Sequence, residues 1–390
     1  MISERLIEIV RERGPMTVAA FMKLALYDPE LGYYARAPQR SGRAGDFFTS
    51  VDVGPLFGEL LEIELAEMAA LLTPLSDGHP SGSAARQLDL VEVGAGNGRL
   101  SADILGAAAR RDPALYSSLD LHLVEASASA RAAQPSVLDS HAERLKSSGL
   151  DLPMSFEGVL LANELLDAMP VHQVVMRDHE LREVYVTCEP GATGREALKT
   201  IDGPPSTSRL TEYLQLAGVS LEPGWRVEIN LSAVDWMRDA ATRLRRGFMI
   251  IVDYGHEARE LYSVSHSGGT LTTFAGHRSA GAETKQDPPG WLKHAGHVDM
   301  TAHVDFTSIR ATAEREGLET LGFLDQTYFL LGLWGDGASF AERDDFARLA
   351  RALKTLVMPG GLGSSHKVLI LGKNVGRPAL RGCGFRVRVT

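Results

Sequence analysis

The sequence predicts an α/β fold with a mainly parallel sheet, and three observations lead to that prediction. Helical segments and short apolar, strand-like segments alternate along most of the 390 residues, which is the order that parallel sheets require. An apolar strand runs directly into a glycine-rich turn at "LVEVGAGNGR", residues 90–99. An apolar content of 44% can form a large buried core. A disordered chain is therefore excluded.

Charge and cysteine content narrow the class of protein. A net charge of -10 and a pI near 5.7 argue against general affinity for nucleic acid phosphates, so we expect no nucleic acid partner. The two cysteines, Cys188 and Cys383, lie far apart and fit neither a disulfide framework nor a zinc motif. The first residues mix acids with arginines, unlike a transit or signal peptide. Apolar runs such as "FMIIV" are too short to span a membrane. A cytoplasmic protein without a membrane span is expected.

Residues 1–86 predict an N-terminal helical cap followed by a linker. The breaks at Gly14-Pro15 and in the glycine-rich loop after the second helix separate three helical segments. These helices are expected at 2–13, near 17–26 and at about 55–72. The stretch "TPLSDGHPSGSAAR", residues 73–86, is rich in Ser, Gly and Pro and has little to bury, which is typical of a linker.

Residues 87–374 are expected to form the main domain, and residues 375–390 a tail without an assigned structure. Strands are predicted at 88–93, 119–125, 158–163, 247–253, near 318–324 and at 366–373, with helices at 99–111, 128–147, 232–245, 307–317 and 339–354. An insertion at about 164–245 contains a β-hairpin with the arms "HQVVMR" and "LREVYVT". Because a hairpin cannot be a parallel crossover, we expect it to project as a lid or a partner surface.

The glycine turn is the strongest chemical signal. A dinucleotide site has the spacing G-x-G-x-x-G, whereas Gly94, Gly96 and Gly98 come one residue closer, as G-x-G-x-G. This spacing is found in methyltransferases that bind S-adenosylmethionine. Glycines let the backbone approach a bulky ligand without Cβ atoms in the way. We therefore expect Gly94, Gly96, Asn97 and Gly98 to hold such a ligand; a turn that only packs is the alternative.

Two acidic residues support that prediction. Glu125 ends the second strand, where a carboxylate can accept hydrogen bonds from both ribose hydroxyls of a nucleoside. Glu92 lies two residues before Gly94, where an acid can orient the amino group of the ligand or a neighbouring loop.

Seven segments of the chain resemble one family of enzymes. In order they are "GYYARAPQRSGRAGDFFTS", "VEVGAGNGRLSADIL", "ANELLDAMPVHQVVMRD", "VDYGH", "GTLTTFAGHR", "DMTAHVDF" and "MPGGLGSSHKVLI". They resemble the MidA family of methyltransferases, over residues 2 to about 374. Mitochondrial members of that family are arginine methyltransferases needed for the assembly of respiratory complex I. The sequence departs from the family pattern at residues 51–54, where Asp52 stands in place of a glutamate.

The resemblance implies a class I, Rossmann-like methyltransferase fold, S-adenosylmethionine as the cofactor, and an arginine side chain of a protein substrate as the methyl acceptor. The resemblance also implies a subunit of respiratory complex I as a possible protein partner. It also implies that the loop containing Gly45 and Asp46 folds over the donor, with Asp46 reaching the methionine part. An Asx-turn in a surface loop is the alternative for Asp46. The sequence leaves the oligomeric state open.

Asn163 ends the strand predicted at 158–163, and Glu164 and Asp167 follow it. The carboxyl end of this strand is expected beside the glycine turn. A guanidinium acceptor needs carboxylates that bind it as a fork and leave one nitrogen facing the methyl group. Glu164 and Asp167 are our candidates for that catalytic role, and Asn163 is expected to face the donor. The alternative for Asn163 and Asp167 is that they only cap a helix.

Other functions remain open at this stage. A nicotinamide-dependent oxidoreductase would need the third glycine one position later, and a catalytically idle assembly factor would keep the fold only as a partner surface. The stretch "HAGHVDMTAHVDF" crowds together N and O ligands that could serve a metal hydrolase, namely His294, His297, Asp299, His303 and Asp305. Because its spacing is not that of a helical zinc motif, we expect a helix beginning at Asp299 and no metal.

Overall fold

Helices and strands alternate along the chain in a computed structural model, which describes residues 2–35, 42, 45–46, 48–73, 87–190, 196–276, 278–281, 289–335, 337–358 and 362–385. The helices are α1 (Ile2–Arg13), α2 (Val18–Tyr27), α3 (Leu56–Leu72), α4 (Arg99–Arg111), α5 (Pro113–Ser118), α6 (Ala128–Leu138), α7 (Arg209–Ala217), α8 (Leu231–Arg243), α9 (Ala258–Leu261), α10 (Gly290–Lys293), α11 (Phe306–Arg315), α12 (Gln326–Trp334), α13 (Ala338–Ala341), α14 (Phe346–Val357) and α15 (Leu362–Ser365). The strands are β1 (Met16–Thr17), β2 (Leu88–Val93), β3 (Leu119–Val124), β4 (Leu145–Gly149), β5 (Phe156–Asn163), β6 (His172–Arg177), β7 (Glu180–Pro190), β8 (Glu196–Gly203), β9 (Arg226–Ile229), β10 (Leu244–His256), β11 (Thr272–Ala275), β12 (Arg278–Ala280), β13 (Asp299–Thr301), β14 (Val304–Asp305), β15 (Glu319–Asp325) and β16 (His366–Lys373). Most of the expected linker, residues 74–86, and the last five residues of the expected tail lie outside the described residues.

The chain forms two compact units. Unit 1 comprises Met1–Phe48, Leu166–Met237 and Gly255–Thr312, and unit 2 comprises Thr49–Leu165, Arg238–Tyr254 and Ala313–Thr390. The expected N-terminal cap, residues 1–86, is therefore divided, with α1 and α2 in unit 1 and α3 in unit 2. Most of the expected insertion belongs to unit 1.

Unit 2 contains the predicted, mainly parallel sheet. Its strands run in the order β15-β16-β10-β5-β2-β3-β4. The strands from β10 to β4 are parallel to one another, whereas β16 and β15 are antiparallel to their neighbours. The chain moves outward from β2 to β3 and β4 and then returns to the other side of β2 at β5. Open α/β sheets bind their ligands at such a reversal, beyond the carboxyl ends of the strands.

The core of unit 2 explains why its central strands read as continuous apolar runs. Strand β5 is buried along nearly its whole length, as expected for a parallel strand covered on both faces. Helices α3, α4, α12 and α14 contribute Phe57, Leu105, Phe329 and Leu349 to one apolar cluster that also contains Ile250 of the sheet. This packing holds the carboxyl ends of β2 and β5 in fixed positions.

Unit 1 is built around antiparallel sheets. Strands β1, β7, β6 and β9 pair in that order, β8 pairs with β7, and β11 lies between β12 and β13. The predicted hairpin is present as β6 and β7, joined through Asp178 and His179. Its apolar residues, such as Val174 and Val184, are fully buried, so the hairpin lies within a sheet and does not project alone as expected. In unit 1, Phe21 and Trp291 pack edge to face at 5.4 Å.

Several elements differ from the prediction. The helix expected over 128–147 ends at Leu138, and the strand β4 follows. Most of β4 is exposed and polar, so no apolar alternation marks it in the sequence. The helix expected at 339–354 lies at Phe346–Val357, and α7, α12 and β8 were not predicted. No helix of the described residues is both long enough and apolar enough to cross a membrane.

Candidate functional site

The glycine turn joins β2 to α4 in unit 2. Gly94, Gly96 and Gly98 have φ values of +71°, +53° and +85°, in the left-handed region that glycine adopts without a steric cost. A Cβ atom at Gly96 would meet nothing within 4 Å, so the space above this residue is open. The backbone N–H of Gly94 donates to the carbonyl of Val124 at 2.9 Å, which holds the turn against the end of β3.

Glu125 supports the turn directly. Its Oε2 accepts the backbone N–H of Gly96 at 2.8 Å, and its Oε1 accepts the N–H of Ser127 at 2.7 Å. From α6, the Nε2 of Gln134 donates to the carbonyl of Gly96 at 2.8 Å. The carboxylate expected to bind a ribose therefore lies at the turn, with each oxygen also holding a backbone amide. Gln134 was not predicted, because its role depends on how α6 packs against the turn.

Asn97 and Arg99 complete the start of α4. The Oδ1 of Asn97 accepts the backbone N–H of Arg99 at 3.3 Å. The guanidinium of Arg99 pairs with Asp52, whose other carboxylate oxygen accepts the N–H and hydroxyl of Thr49 at 3.0 Å. The shorter acid at position 52 thus caps its own turn and holds the first residue of α4.

Glu92 lies beneath the turn. Its side chain is 4% exposed, and the hydroxyl of Ser101 in α4 donates to it. Burial raises the pKa of Glu92 to about 7, and the nearby carboxylates of Glu125 and Asp103 act in the same direction. The structure therefore shows Glu92 joining β2 to the neighbouring helix, and a contact with a ligand stays a prediction.

Replacing Glu92 with glutamine is expected to stabilise the ligand-free protein at neutral pH. Because folding raises the pKa of this acid from 4.5 to about 7, the ionised carboxylate opposes folding. That cost is absent below pH 4.5, grows as the pH rises and reaches about 3 kcal/mol above pH 7. Glutamine keeps an acceptor for Ser101 without the charge. Urea unfolding should show that E92Q is more stable than the wild type by most of that amount at pH 7.5 and by less than about 1 kcal/mol at pH 5.

The exposed Glu222 supplies a matched control, because E222Q should leave both unfolding midpoints unchanged. Burial also raises the pKa of Glu64 and Asp103, to about 7 and about 6. The comparison of E92Q with the wild type therefore isolates Glu92. An equal stability difference at both pH values would show that this carboxylate is not the group that titrates.

Asn163 and Glu164 lie at the carboxyl end of β5, beside the glycine turn. The side chain of Leu165 comes to 3.1 Å from the position that a Cβ of Gly94 would take. The φ of Glu164 is +51°, which costs a residue with a side chain roughly 1–2 kcal/mol. Its backbone N–H donates to the carbonyl of Val252 at 2.8 Å. The Oδ1 of Asn163 is buried and has no hydrogen-bond partner among the described residues.

His366 faces Glu164 and was missed in the sequence. This histidine begins β16 and is fully buried. Its Nδ1 lies 2.8 Å from the carbonyl oxygen of Leu362 and donates to it, while its Nε2 lies 3.5 Å from Oε1 of Glu164. The ring of Tyr254 packs on the imidazole at a centroid distance of 3.8 Å. The Nε2 of His366 therefore points to the carboxylate of Glu164 at the carboxyl end of β5.

A signal for His366 did exist in the order of the strands. Because β16 is antiparallel to β10, its first residue pairs with Tyr254 at the carboxyl end of β10. The first residues of the last strand therefore lie at the edge where the glycine turn lies. The position of His366 could be predicted only from the antiparallel direction of β16, which the local sequence does not reveal.

The remaining predicted residues belong to unit 1. Asp46 accepts the hydroxyl of Tyr33 at 2.7 Å and the backbone N–H of Gly276 at 3.0 Å, and Gly45 lies in the turn that precedes it. Asp167 is buried, and its carbonyl accepts the N–H of Ala302 at 2.9 Å. The expected fork of Glu164 and Asp167 thus involves residues of different units. Roles for Gly45, Asp46 and Asp167 at the ligand stay predictions.

The histidine-rich stretch differs from the sequence prediction. Residues 299–301 form β13, which pairs with β11, and not the start of a helix. The reason is tertiary: Oδ1 of Asp299 accepts the hydroxyl of Tyr34 at 2.8 Å. Asp305 similarly accepts the hydroxyl of Tyr213 at 3.0 Å. Within the described residues, these two acids join no group of three potential metal ligands.

His303, in the same stretch, is surrounded by other histidines. Its ring lies 5.3 Å from that of His256 and 5.8 Å from that of His266. Burial lowers the pKa of His303 to about 4, and the two neighbouring rings act in the same direction. His303 is therefore neutral at physiological pH.

Comparison with known families decides between the classes of enzyme that the sequence left open. A family model described as "Putative S-adenosyl-L-methionine-dependent methyltransferase" matches residues 75–324, more than half of the chain. The chain belongs to this family. The predicted cofactor, S-adenosylmethionine, is the one that defines the family, and the predicted Rossmann-like methyltransferase fold is confirmed. A methyltransferase thus replaces the alternative of a nicotinamide-dependent oxidoreductase.

Named relatives and solved structures agree with this family. "Protein arginine methyltransferase NDUFAF7, mitochondrial" of Danio rerio is 28% identical over 341 residues, which cover 81% of this chain and 72% of the relative. The Drosophila melanogaster homolog is 28% identical over 392 residues, covering 92% and 82%. A crystal structure of a Burkholderia thailandensis protein bound to S-adenosyl-homocysteine superimposes with a TM-score of 0.83 at 29% identity, covering 98% of this chain and 94% of that one.

Proposed function

We propose that this methyltransferase transfers the methyl group of S-adenosylmethionine to an arginine side chain of a partner protein. Membership of the family supports the donor, and the arginine methyltransferases among the relatives support the acceptor. The main structural support for an arginine acceptor is the position of Glu164. This carboxylate has a left-handed backbone conformation at the end of β5, beside the glycine turn. Strained backbone of this kind is concentrated at functional sites.

The residues of unit 2 fit the donor. The open space above Gly96 admits a ligand close to the backbone. The buried Oδ1 of Asn163, which has no partner in the described part of the chain, can accept a hydrogen bond from a ligand. Glu125 offers carboxylate oxygens at the turn, as binding of a ribose requires. Gln134 holds the turn through the carbonyl of Gly96, and Glu92 joins β2 to α4 through Ser101.

S-adenosylmethionine, when bound, supplies a methyl group already activated by the sulfonium, so the protein mainly aligns the acceptor. Glu164 binds the guanidinium by charge-assisted hydrogen bonds and draws positive charge away from the attacking nitrogen. His366 lies behind Glu164 with its Nε2 at 3.5 Å. A proton released by the methylated guanidinium can be held between Oε1 of Glu164 and Nε2 of His366. The carbonyl of Leu362 keeps the imidazole in the required orientation.

Methyl transfer to arginine can be tested without knowing the substrate. The purified chain, S-adenosylmethionine with a tritiated methyl group, and protein extract from a deletion strain should together yield labelled protein. Acid hydrolysis should return the label as methylarginine, and mass spectrometry should find the corresponding mark in the parent strain but not in the deletion strain. Label in another amino acid would contradict arginine as the acceptor but would still support S-adenosylmethionine as the donor. Binding of S-adenosylhomocysteine without any transfer would favour an idle assembly factor.

We further propose that the partner is a subunit of a respiratory complex and that the reaction takes place in the cytoplasm before assembly. The resemblance to a family whose mitochondrial members act in the assembly of complex I supports this partner. The protein that is labelled in the extract of the deletion strain should then copurify, in its methylated form, with a respiratory complex in the parent strain. A methylated protein that never enters such a complex would contradict this part of the proposal.

A further inference from the structure

Three histidines from separate stretches of the chain come together in unit 1. His256 ends β10, His266 ends the short turn Val264–His266, and His303 immediately precedes β14. One ring nitrogen of each lies within 4.8 Å of a ring nitrogen of each of the others. The rings of His256 and His266 have centroids 5.0 Å apart. In the part of the chain that the structure describes, no other cluster of His, Cys, Asp and Glu has this geometry.

We propose that His256, His266 and His303 bind one divalent transition-metal ion, with Zn²⁺ as the ion of choice. Neutral imidazole nitrogens are preferred ligands of Zn²⁺, and three histidines with a fourth open position are a common zinc set. Mg²⁺ and Ca²⁺ prefer oxygen ligands and should not bind. This site shares only His303 with the set of residues 294–305 that the sequence pattern offered.

Glu260 lies beside two of the three proposed ligands. Its backbone carbonyl lies 3.1 Å from Nδ1 of His266, and its Oε1 lies 3.1 Å from Nδ1 of His256. A histidine that ligates a metal usually donates its other N–H to a carbonyl or a carboxylate, which fixes the ring and its tautomer. The contact with the carbonyl assigns Nε2 as the coordinating atom of His266.

His303 supplies the third ligand from a buried position. Its Nδ1 is buried and has no hydrogen-bond partner among the described residues, and its backbone N–H is anchored on Oγ1 of Thr270 at 3.1 Å. A metal ion would satisfy that buried nitrogen. Tetrahedral Zn²⁺ with bonds of about 2.0–2.1 Å places its ligand nitrogens about 3.4 Å apart. Ligand nitrogens up to 4.8 Å apart must therefore approach one another by as much as about 1.4 Å when the ion binds.

A bound ion would join three parts of unit 1 that are distant in sequence. It would link the end of β10, the turn at Val264–His266 and the start of β14. Because the unfolded chain does not hold these three residues together, binding should stabilise the folded state. Metal binding and thermal stability should therefore change together.

Calorimetry with Zn²⁺ on the full-length protein, free of any polyhistidine tag and cleared with a chelator, tests this site. One ion should bind per chain, and Zn²⁺ should raise the melting temperature. Co²⁺ at the same site should show the intense visible absorption of tetrahedral coordination. H266Q removes a ligand on an accessible turn and should weaken Zn²⁺ binding at least 10-fold. H303Q should give the same loss, so the result does not depend on the folding of one variant.

H294Q is the matched control, because His294 is exposed and belongs to the alternative histidine-rich set. It should bind Zn²⁺ within about twofold of the wild type. Absence of stoichiometric Zn²⁺ binding by the wild type would overturn the proposal. So would H266Q and H303Q variants that remain folded by circular dichroism and bind Zn²⁺ as tightly as the wild type. If H294Q alone lost Zn²⁺ binding, the metal site would belong to the histidine-rich stretch 294–305.

Discussion

Replacing Gly96 with valine is expected to abolish binding of S-adenosylhomocysteine while the protein stays folded. A Cβ at this position meets nothing within 4 Å, so the new side chain enters the open space that we assign to the ligand. Calorimetry should show affinity falling by at least 100-fold, which corresponds to about 2.7 kcal/mol. The φ of +53° adds a backbone cost on the order of 1–2 kcal/mol. That cost should appear as a moderate fall in melting temperature.

Gly317 provides the matched control for that variant. It also has a positive φ, +85°, and a Cβ there also meets nothing within 4 Å, but it lies in the turn after α11, outside the glycine turn. G317V should therefore lose a similar amount of stability and keep its affinity for S-adenosylhomocysteine. Ligand binding by G96V equal to that of G317V would mean that the turn does not hold the donor.

Replacing Glu164 with glutamine should abolish methyl transfer while the protein still binds the methyl donor. Glutamine preserves the shape of the side chain but removes the charge that binds the guanidinium, so we expect incorporation of tritiated methyl groups to fall at least 100-fold. Affinity for S-adenosylhomocysteine should change less than about threefold. H366Q should reduce transfer less and shift its pH profile, because His366 acts through Glu164.

Glu157 lies on the same strand, at its other end, and is paired with Arg245. E157Q therefore changes the same type of residue on the same strand, away from the glycine turn, and should transfer methyl groups at the wild-type rate. If E164Q and E157Q are equally active, Glu164 has no role in the reaction. If E164Q also fails to bind S-adenosylhomocysteine, Glu164 belongs to the donor site and another group must bind the acceptor.

Much of unit 2 could be predicted because its signals are local. Strand β2, the helix α4 and strand β16 begin and end at the predicted residues, as does β6 in unit 1. Their apolar runs, glycines and caps lie next to one another in the sequence, where short-range preferences decide the structure. The turn at 94–98 was predictable for the same reason, since its glycines have positive φ values.

The errors arose where distant contacts decide the local structure. Asp299 could have begun a helix, but the hydrogen bond from Tyr34 and the pairing of β13 with β11 hold it in a strand. Strand β4 has almost no apolar side chains and exists because β3 offers it a free edge. The division into two units, which splits the expected N-terminal cap, also depends on packing between segments far apart in the chain.

The sequence by itself determined the class of fold, the methyl donor and the turn expected to hold it, because these depend on residues that are neighbours in the chain. Only the tertiary structure decided which side chains stand beside Glu164 and which histidines converge. His366 meets Glu164 across about 200 positions of sequence, and His256, His266 and His303 meet through the ends of separate elements. Such pairings follow from the order and direction of the strands, which no short segment encodes.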